Sequence, residues 1–231
     1  ISSAVNSVLN QSYKNWEMII VDDCSNKKTK EKLLKYKKNK KIKIFWLKKN
    51  RGAGYCRNFA ITKSKSEFLA FIDSDDIWEK NKLKSQINFM IKNKLNFTYT
   101  YYKTFNDNEK QFKKIITLNK FNFKNFTHNT SIATSTMMVR KKVANRIKFT
   151  NTAICEDYFY KCRILKKIKF AYCVQKFLTK YRIRNDSLQS NKFRNFFWIW
   201  KINRDYNNFN LFQNFTSLFF ISLNSIKKYG F

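Results

Sequence analysis

Short apolar runs alternate with amphipathic stretches along the first hundred residues. The runs at 16–21, 42–47 and 67–72 are each typical of a buried strand. Helical patterns follow at 54–63 and 80–93, and a strongly basic helical stretch follows the first run. Strands that alternate with helices of this length predict right-handed crossovers, and therefore an α/β fold with a mostly parallel central sheet flanked by helices.

The pattern changes after residue 96. Segments 97–105 and 111–118 flank the turn sequence Asn106-Asp107-Asn108 and predict an antiparallel hairpin or an insertion. We expect a strand at 131–140, a helix at 153–166, strands near 169–174 and 177–183, and helices at 191–206 and 211–229.

These elements predict one domain over residues 1–190 and an amphipathic helical C-terminal tail over 191–231. Because Ile1 already lies inside an amphipathic pattern, we also expect that a first strand is missing at the amino terminus.

The composition is that of a globular protein with a large positive charge. Hydrophobic residues make up 43% of the 231 residues, which argues against a disordered basic tail. The formal charge of +33 favours a polyanionic neighbour: nucleic acid, an anionic membrane surface or a phosphorylated substrate. Leu33, Leu34 and Tyr36 interrupt the lysine-rich run 27–43, so we interpret it as a solvated helix with one buried side rather than a nucleic-acid stripe.

Cysteine spacing indicates a reducing compartment. Five cysteines are dispersed along the chain without a C-x-x-C pair, which is typical of reduced thiols in a cytoplasmic protein. No stretch approaches the roughly 18 uninterrupted apolar residues that would span a bilayer.

Two acidic clusters are the strongest candidates for chemistry. The third apolar run ends in Asp73, Asp75 and Asp76, and the first ends in Asp22 and Asp23. Clustered carboxylate oxygens suit Mg²⁺ or Mn²⁺, because like charges repel unless a cation lies among them. The alternative is an acidic turn that caps a following helix. Since ligands bind outside the carboxyl ends of parallel strands, we expect both clusters to meet on one rim.

Four motifs occur in order along the chain. They are NQSYKNWEMIIVDDCS at 10–25, NRGAGYCRN at 50–58, FIDSDD at 71–76 and CEDY at 155–158. Together they resemble motifs of the nucleotide-sugar-dependent glycosyltransferases of family two, which have the GT-A fold. The resemblance covers nearly the whole chain, although Cys24 stands where the family usually has glycine.

The resemblance implies an inverting, metal-dependent enzyme of the hexosyltransferase type. The donor would be a nucleoside diphosphate sugar, by expectation a UDP sugar, and the acceptor a cell-surface polysaccharide or a lipid-linked glycan. Asp75 would be the main ligand of Mn²⁺ or Mg²⁺, and Asp73 would contact the ribose or help to hold the ion.

The resemblance also assigns roles to five further residues. Asp23 is the expected acceptor for a base N–H, and Asp22 would orient its loop. Arg57 is expected near the diphosphate, with an ion pair to a neighbouring acid as its alternative. Asp157 is the expected catalytic base. Glu156 is the second candidate for the base. Because it lies one position before Asp157 on a helix, its side chain points in a different direction from that of Asp157.

Two other functions stay open. A basic nucleic-acid-binding module would bind DNA or RNA in a salt-sensitive way that is indifferent to Asp75, whereas an inactive protein of the same fold would bind nucleotide sugars without turnover. We expect no nucleic-acid partner. The aromatic tail favours packing against its own domain, but its lysines and arginines also fit a peripheral contact with an anionic membrane, at the inner face of the cell membrane.

Overall fold

The computed structural model describes residues 1–106, 111–150, 152–184 and 192–229. The helices in these ranges are α1 (Ser2–Leu9), α2 (Lys27–Leu34), α3 (Ala53–Lys63), α4 (Lys82–Lys92), α5 (Phe123–His128), α6 (Lys141–Ala144), α7 (Glu156–Ile168), α8 (Lys192–Asp205) and α9 (Leu211–Tyr229). The strands are β1 (Met18–Asp22), β2 (Ile42–Trp46), β3 (Phe68–Ala70), β4 (Ile77–Trp78), β5 (Phe97–Phe105), β6 (Gln111–Ile115), β7 (Lys120–Phe121), β8 (Met138–Arg140) and β9 (Ala171–Arg182).

The strands form two sheets. In the smaller, β1 and β2 pair in parallel, with Met18 opposite Ile42. The larger has the order β3-β8-β5-β9-β4, with β6 on β5 and β7 on β9. In it only β5 and β9 run parallel among the described pairings. The sheet is therefore mixed, which corrects the expectation of a mostly parallel sheet. Parallel neighbours need a long crossover, whereas β6 returns through a hairpin connection.

Most predicted elements form, with two corrections. The hairpin of β5 and β6 is confirmed, although 107 and 108 of its predicted turn lie outside the described ranges. The two strands predicted near 169–183 are one strand, β9, whose pairing with β5 is irregular between Val174 and Phe177. The strand predicted at 131–140 is reduced to β8, because residues Thr134–Thr136 form a 3-10 turn.

The helices at the end of the chain share the core of the larger sheet. Ile199 and Ile202 of α8 and Ile221 of α9 belong to the same buried cluster as β5, β8 and α7. The predicted boundary between 190 and 191 falls outside the described residues, so the division into a domain and a tail stays a prediction. Within the described ranges, no helix is both long and apolar enough to cross a membrane.

Candidate active site

A cleft of about 1390 Å³ lies between the two sheets. Both β1 and β3 line it, and each of these strands pairs on one side only among the described strands. The charged residues that line it include Asp22, Asp23, Arg57, Asp73, Asp75 and Arg184. Asp22, Asp23, Asp73 and Asp75 therefore line one cleft, whereas Asp76 does not line it.

Asp23 fixes the loop at 50–52 on one side of the cleft. Its Oδ1 accepts a hydrogen bond from the backbone N–H of Arg51 at 2.6 Å, and its Oδ2 accepts from Gly52 at 2.7 Å. Gly52 has φ +83°, a left-handed backbone conformation that favours glycine. Each carboxylate oxygen has two lone pairs, so Asp23 keeps capacity for a ligand N–H.

Asp22 is buried and serves its own turn. Its Oδ2 accepts from the backbone N–H of Ser25 at 3.1 Å. Asp22 thus holds the turn that follows β1, whereas Asp23 holds the loop at 50–52. Burial and the charge of Asp23 raise the pKa of the adjacent Cys56 thiol to about 12, so this cysteine stays neutral.

Arg57, on α3, joins the cleft to the start of α7. Its guanidinium donates to Asp73 Oδ1 at 2.8 Å and to Glu156 Oε1 at 2.6 Å. Burial alone would lower the pKa of Arg57, but the charges of Asp73, Glu156 and Asp157 raise it. The ion pair that was the alternative for Arg57 is therefore present, with two acids at once, and only 17% of the side chain is exposed.

Asp75 and Asp76 differ in their surroundings. Burial and the neighbouring charge of Asp73 raise the pKa of Asp75, which faces the cleft. Asp76 is buried, and its Oδ1 accepts from the backbone N–H of Arg182 at 2.8 Å on β9. Burial raises the pKa of Asp76 well above its ordinary value. Because β4 follows this cluster directly, the helix-capping alternative is wrong here.

The carboxylates at the cleft fit a divalent cation that also binds a ligand. Among the described residues, no group of three or more His, Cys, Asp or Glu side chains could hold a metal ion. Asp73 and Asp75 offer hard oxygen donors; burial first, and then the charge of Asp73, raises the pKa of Asp75, and a cation between the two carboxylates would offset their repulsion. Mg²⁺ is commonly bound by one or two carboxylates together with substrate phosphates and water, and this donor set suits that mode.

Glu156 and Asp157 begin α7 beside the cleft. They do not line it and are joined to it through Arg57. Asp157 Oδ2 accepts from Lys161 Nζ at 2.7 Å and from Thr134 Oγ1 at 3.0 Å. Burial opposes ionisation of Asp157, but the ammonium of Lys161 holds its pKa well below the ordinary range. Asp157 is therefore an ionised carboxylate at neutral pH.

Several supporting residues escaped the sequence analysis. A Cβ on Gly54 would lie 2.9 Å from Thr150 O and 3.3 Å from Glu156 Cγ, so glycine allows α3 to approach α7. Asn58 exchanges two hydrogen bonds of 2.8 Å with the backbone of Phe149. Both lie in the 50–58 motif, whose spacing could have marked them. Lys161 lies four residues after Asp157, the helical spacing of an ion pair.

Comparisons of sequence agree with these motifs. A family model described as "Glycosyl transferase family 2" matches residues 1–148. The chain is 35% identical to the putative teichuronic acid biosynthesis glycosyltransferase TuaG of Bacillus subtilis, over 84% of this chain and 78% of that protein. It is 33% identical to the Escherichia coli protein "UDP-Glc:alpha-D-GlcNAc-diphosphoundecaprenol beta-1,3-glucosyltransferase WfgD", over 100% of this chain and 90% of that one.

Solved structures confirm the predicted GT-A fold. S. aureus TarS 1-349 in complex with UDP-GlcNAc is similar with a TM-score of 0.71 at 21% identity, over 86% of this chain and 60% of that chain. The mannosyltransferase PcManGT from Pyrobaculum calidifontis, in complex with GDP-Man and Mn²⁺, is similar with a TM-score of 0.69 at 10% identity, over 91% of this chain and 61% of that chain. The chain thus spans about 60% of these solved chains, and the likeness concerns the fold.

Proposed function

This chain belongs to glycosyl transferase family 2, and from that membership we propose that it transfers a sugar from a UDP sugar to a lipid-linked glycan, with inversion and with Mn²⁺ or Mg²⁺. The observation that carries the proposal is that Asp23, Asp73 and Asp75 line one cleft, with Arg57 linking Asp73 to Glu156, the residue before Asp157. The printed name of WfgD, which gives UDP-Glc as donor and a diphosphoundecaprenol-linked acceptor, supports both substrate classes.

The nucleotide would lie along the carboxyl end of β1. Asp23, held against the loop at 50–52, would accept the N–H of the uracil base. Asp22 keeps the turn after β1 in place through Ser25. This arrangement positions the carboxylate of Asp23 before the nucleotide binds, which lowers the entropic cost of binding.

The diphosphate would lie at the end of β3. Asp75 would hold the divalent cation, and Asp73 would assist it or bind the ribose. The bound cation would neutralise the charge that accumulates on the departing diphosphate. Arg57 engages Oδ1 of Asp73, which fixes the orientation of that carboxylate and leaves its Oδ2 for the ligand.

Asp157 would act as the catalytic base. The acceptor hydroxyl would bond to the anomeric carbon on the face opposite the diphosphate, the bond from that carbon to the diphosphate oxygen would break, and Asp157 would take the hydroxyl proton. Asp157 is ionised, as a base must be before it takes a proton, and its Oδ2 accepts hydrogen bonds from Lys161 and Thr134. Glu156 is the second candidate, although its Oε1 is engaged by Arg57.

We also propose a cytoplasmic site of action at the inner face of the cell membrane. The five cysteines are free thiols, and three of them are buried, which fits a reducing compartment. A lipid-linked acceptor would meet the enzyme at that membrane surface.

Calorimetry with UDP, with and without Mn²⁺, tests the proposal. Wild-type protein is expected to bind UDP tightly only with the metal, and Asp75→Ala is expected to abolish the difference. Asp205→Ala is the matched control, because Asp205 is exposed and lies on α8, away from the cleft. Metal-independent UDP binding would refute the metal assignment. Binding of DNA or RNA with equal affinity in Asp75→Ala would favour a nucleic-acid module, and UDP-sugar binding without transfer to any acceptor would favour an inactive protein.

A further inference from the structure

The last helix presents its apolar side to solvent. Five large hydrophobic residues at helical spacing form an exposed row, the α9 stripe: Phe212, Phe215, Phe219, Leu223 and Ile226. The opposite side of α9, with Asn214, Ser217 and Ile221, is buried against the protein. A surface helix normally does the reverse, with its apolar side on the core.

The buried polar groups explain why α9 lies this way round. Asn214 Oδ1 and Ser217 Oγ accept hydrogen bonds from Asn203 Nδ2 on α8 at 3.2 and 3.1 Å. Ser217 Oγ donates to Thr127 O at 2.6 Å, and Tyr158 donates to Asn203 Oδ1 at 2.8 Å. Turning the helix over would remove these hydrogen bonds and leave the side-chain amide of Asn203 and the carbonyl of Thr127 without their partners on α9.

The apolar surface continues onto α8. Phe193 is 89% exposed and Phe197 61% exposed, and both lie on the same side of α8 as Trp200. The ring of Trp200 meets that of Phe215 edge to face, with centroids 4.9 Å apart, so the two helices form one surface. Such a contiguous exposed apolar patch on a charged protein indicates an interaction site.

The charges around this surface identify the partner. Exposed Arg194, Lys201, Arg204 and Lys227 border it, and Asp205 is the only acid on the two helices in the described ranges. A second copy of the chain would bring two such basic surfaces together, in a protein of formal charge +33. An anionic lipid surface instead offers an apolar interior to the phenylalanines and phosphate groups to the cations.

We propose that α8 and α9 dock this protein on anionic lipid bilayers, with the α9 stripe, Phe193 and Phe197 inserted at the level of the acyl chains. The helices lie in the plane of the membrane, because their opposite side is committed to Asn203 and the core. Lys201, Arg204 and Lys227 lie at the depth of the headgroups.

Flotation of the full chain with vesicles tests this docking independently of the proposed function. Binding is expected with phosphatidylglycerol mixed into phosphatidylcholine, and about tenfold weaker with phosphatidylcholine alone. The triple variant Phe212→Ser, Phe215→Ser, Phe219→Ser is expected to lose affinity by about 100-fold or more. Phe193→Ser with Phe197→Ser, at sites too exposed to affect folding, should lose about tenfold.

The matched control is Leu34→Ser, Ile116→Ser, Leu118→Ser, which removes exposed apolar side chains elsewhere and should bind as the wild type does. Equal binding by the triple variant and this control would overturn the proposal. So would a wild-type dimer in size-exclusion chromatography that the triple variant converts to a monomer, with no vesicle binding by either. UDP binding should be the same in all of these proteins, so a failure of the donor site would be recognised separately.

Discussion

Replacing Arg57 by methionine tests whether this residue holds the candidate site together. Methionine keeps most of the apolar stem and removes the guanidinium, which binds Asp73 and Glu156 and lies over the ring of Phe149. The carboxylates of Asp73 and Glu156 then lose the guanidinium that both of them contact. We expect both lower stability and weaker metal-dependent binding of UDP.

The magnitude follows from the burial of the three side chains. They are 17%, 33% and 18% exposed for Arg57, Asp73 and Glu156. Removing one partner of a buried ion pair costs about 3–5 kcal/mol, and partial access of water places the expected loss near the lower end, about 3 kcal/mol. For a chain of this length that loss corresponds to a fall in Tm of about 6–12 °C.

Thermal unfolding followed by circular dichroism measures the effect. Arg146→Met is the matched control, because Arg146 is exposed and forms no ion pair within the described ranges, and its Tm should stay within about 2 °C of the wild type. Arg57→Lys should recover only part of the loss, since an ammonium cannot span both carboxylates as the guanidinium does. If the Arg57→Met protein has the same Tm as the Arg146→Met control, the role of Arg57 as a link between Asp73 and Glu156 is refuted.

Three further predictions concern the base, the packing of α3 and a buried lysine. Asp157→Asn should keep metal-dependent UDP binding in calorimetry and lose transfer of labelled sugar; unchanged transfer would move the base to Glu156 or elsewhere. Gly54→Ala should lower the free energy of unfolding in urea by about 1 kcal/mol or more, because its Cβ would lie 2.9 Å from a backbone oxygen; wild-type stability would contradict the close approach of α3 and α7. Burial lowers the pKa of Lys82 well below its ordinary value. At a pH between the folded and the unfolded pKa, Lys82 is therefore protonated in the unfolded chain and neutral in the folded chain. The free energy of unfolding should therefore rise with pH as the pH approaches the unfolded lysine pKa of about 10.4, by up to about 1.4 kcal/mol per pH unit from this group, and Lys82→Met should remove that rise in urea titrations at two pH values below it.

The sequence by itself determined the elements that position the acids. The strands β1 and β3, with Asp22, Asp23, Asp73 and Asp75 at their carboxyl ends, follow from short apolar runs that end in charge. Such runs are local, so neighbouring residues suffice to predict them. The GT-A fold was expected from the resemblance of four ordered motifs to those of a known family, and those motifs can be found in the sequence alone.

Tertiary structure alone decided the pairings across the chain. Arg57 meets Glu156 across 99 positions, and no local pattern could single out that partner among the acids of the sequence. The mixed sheet has the same origin, because strand direction depends on how connections pack and not on the residues of a strand. The clearest case is α9, whose periodicity predicted an apolar side. Asn203 on α8 donates hydrogen bonds to Asn214 and Ser217, so these two residues face inward and the apolar side of α9 is exposed. Periodicity reports where the two sides of a helix are, and only the partners of its polar groups decide which side is buried.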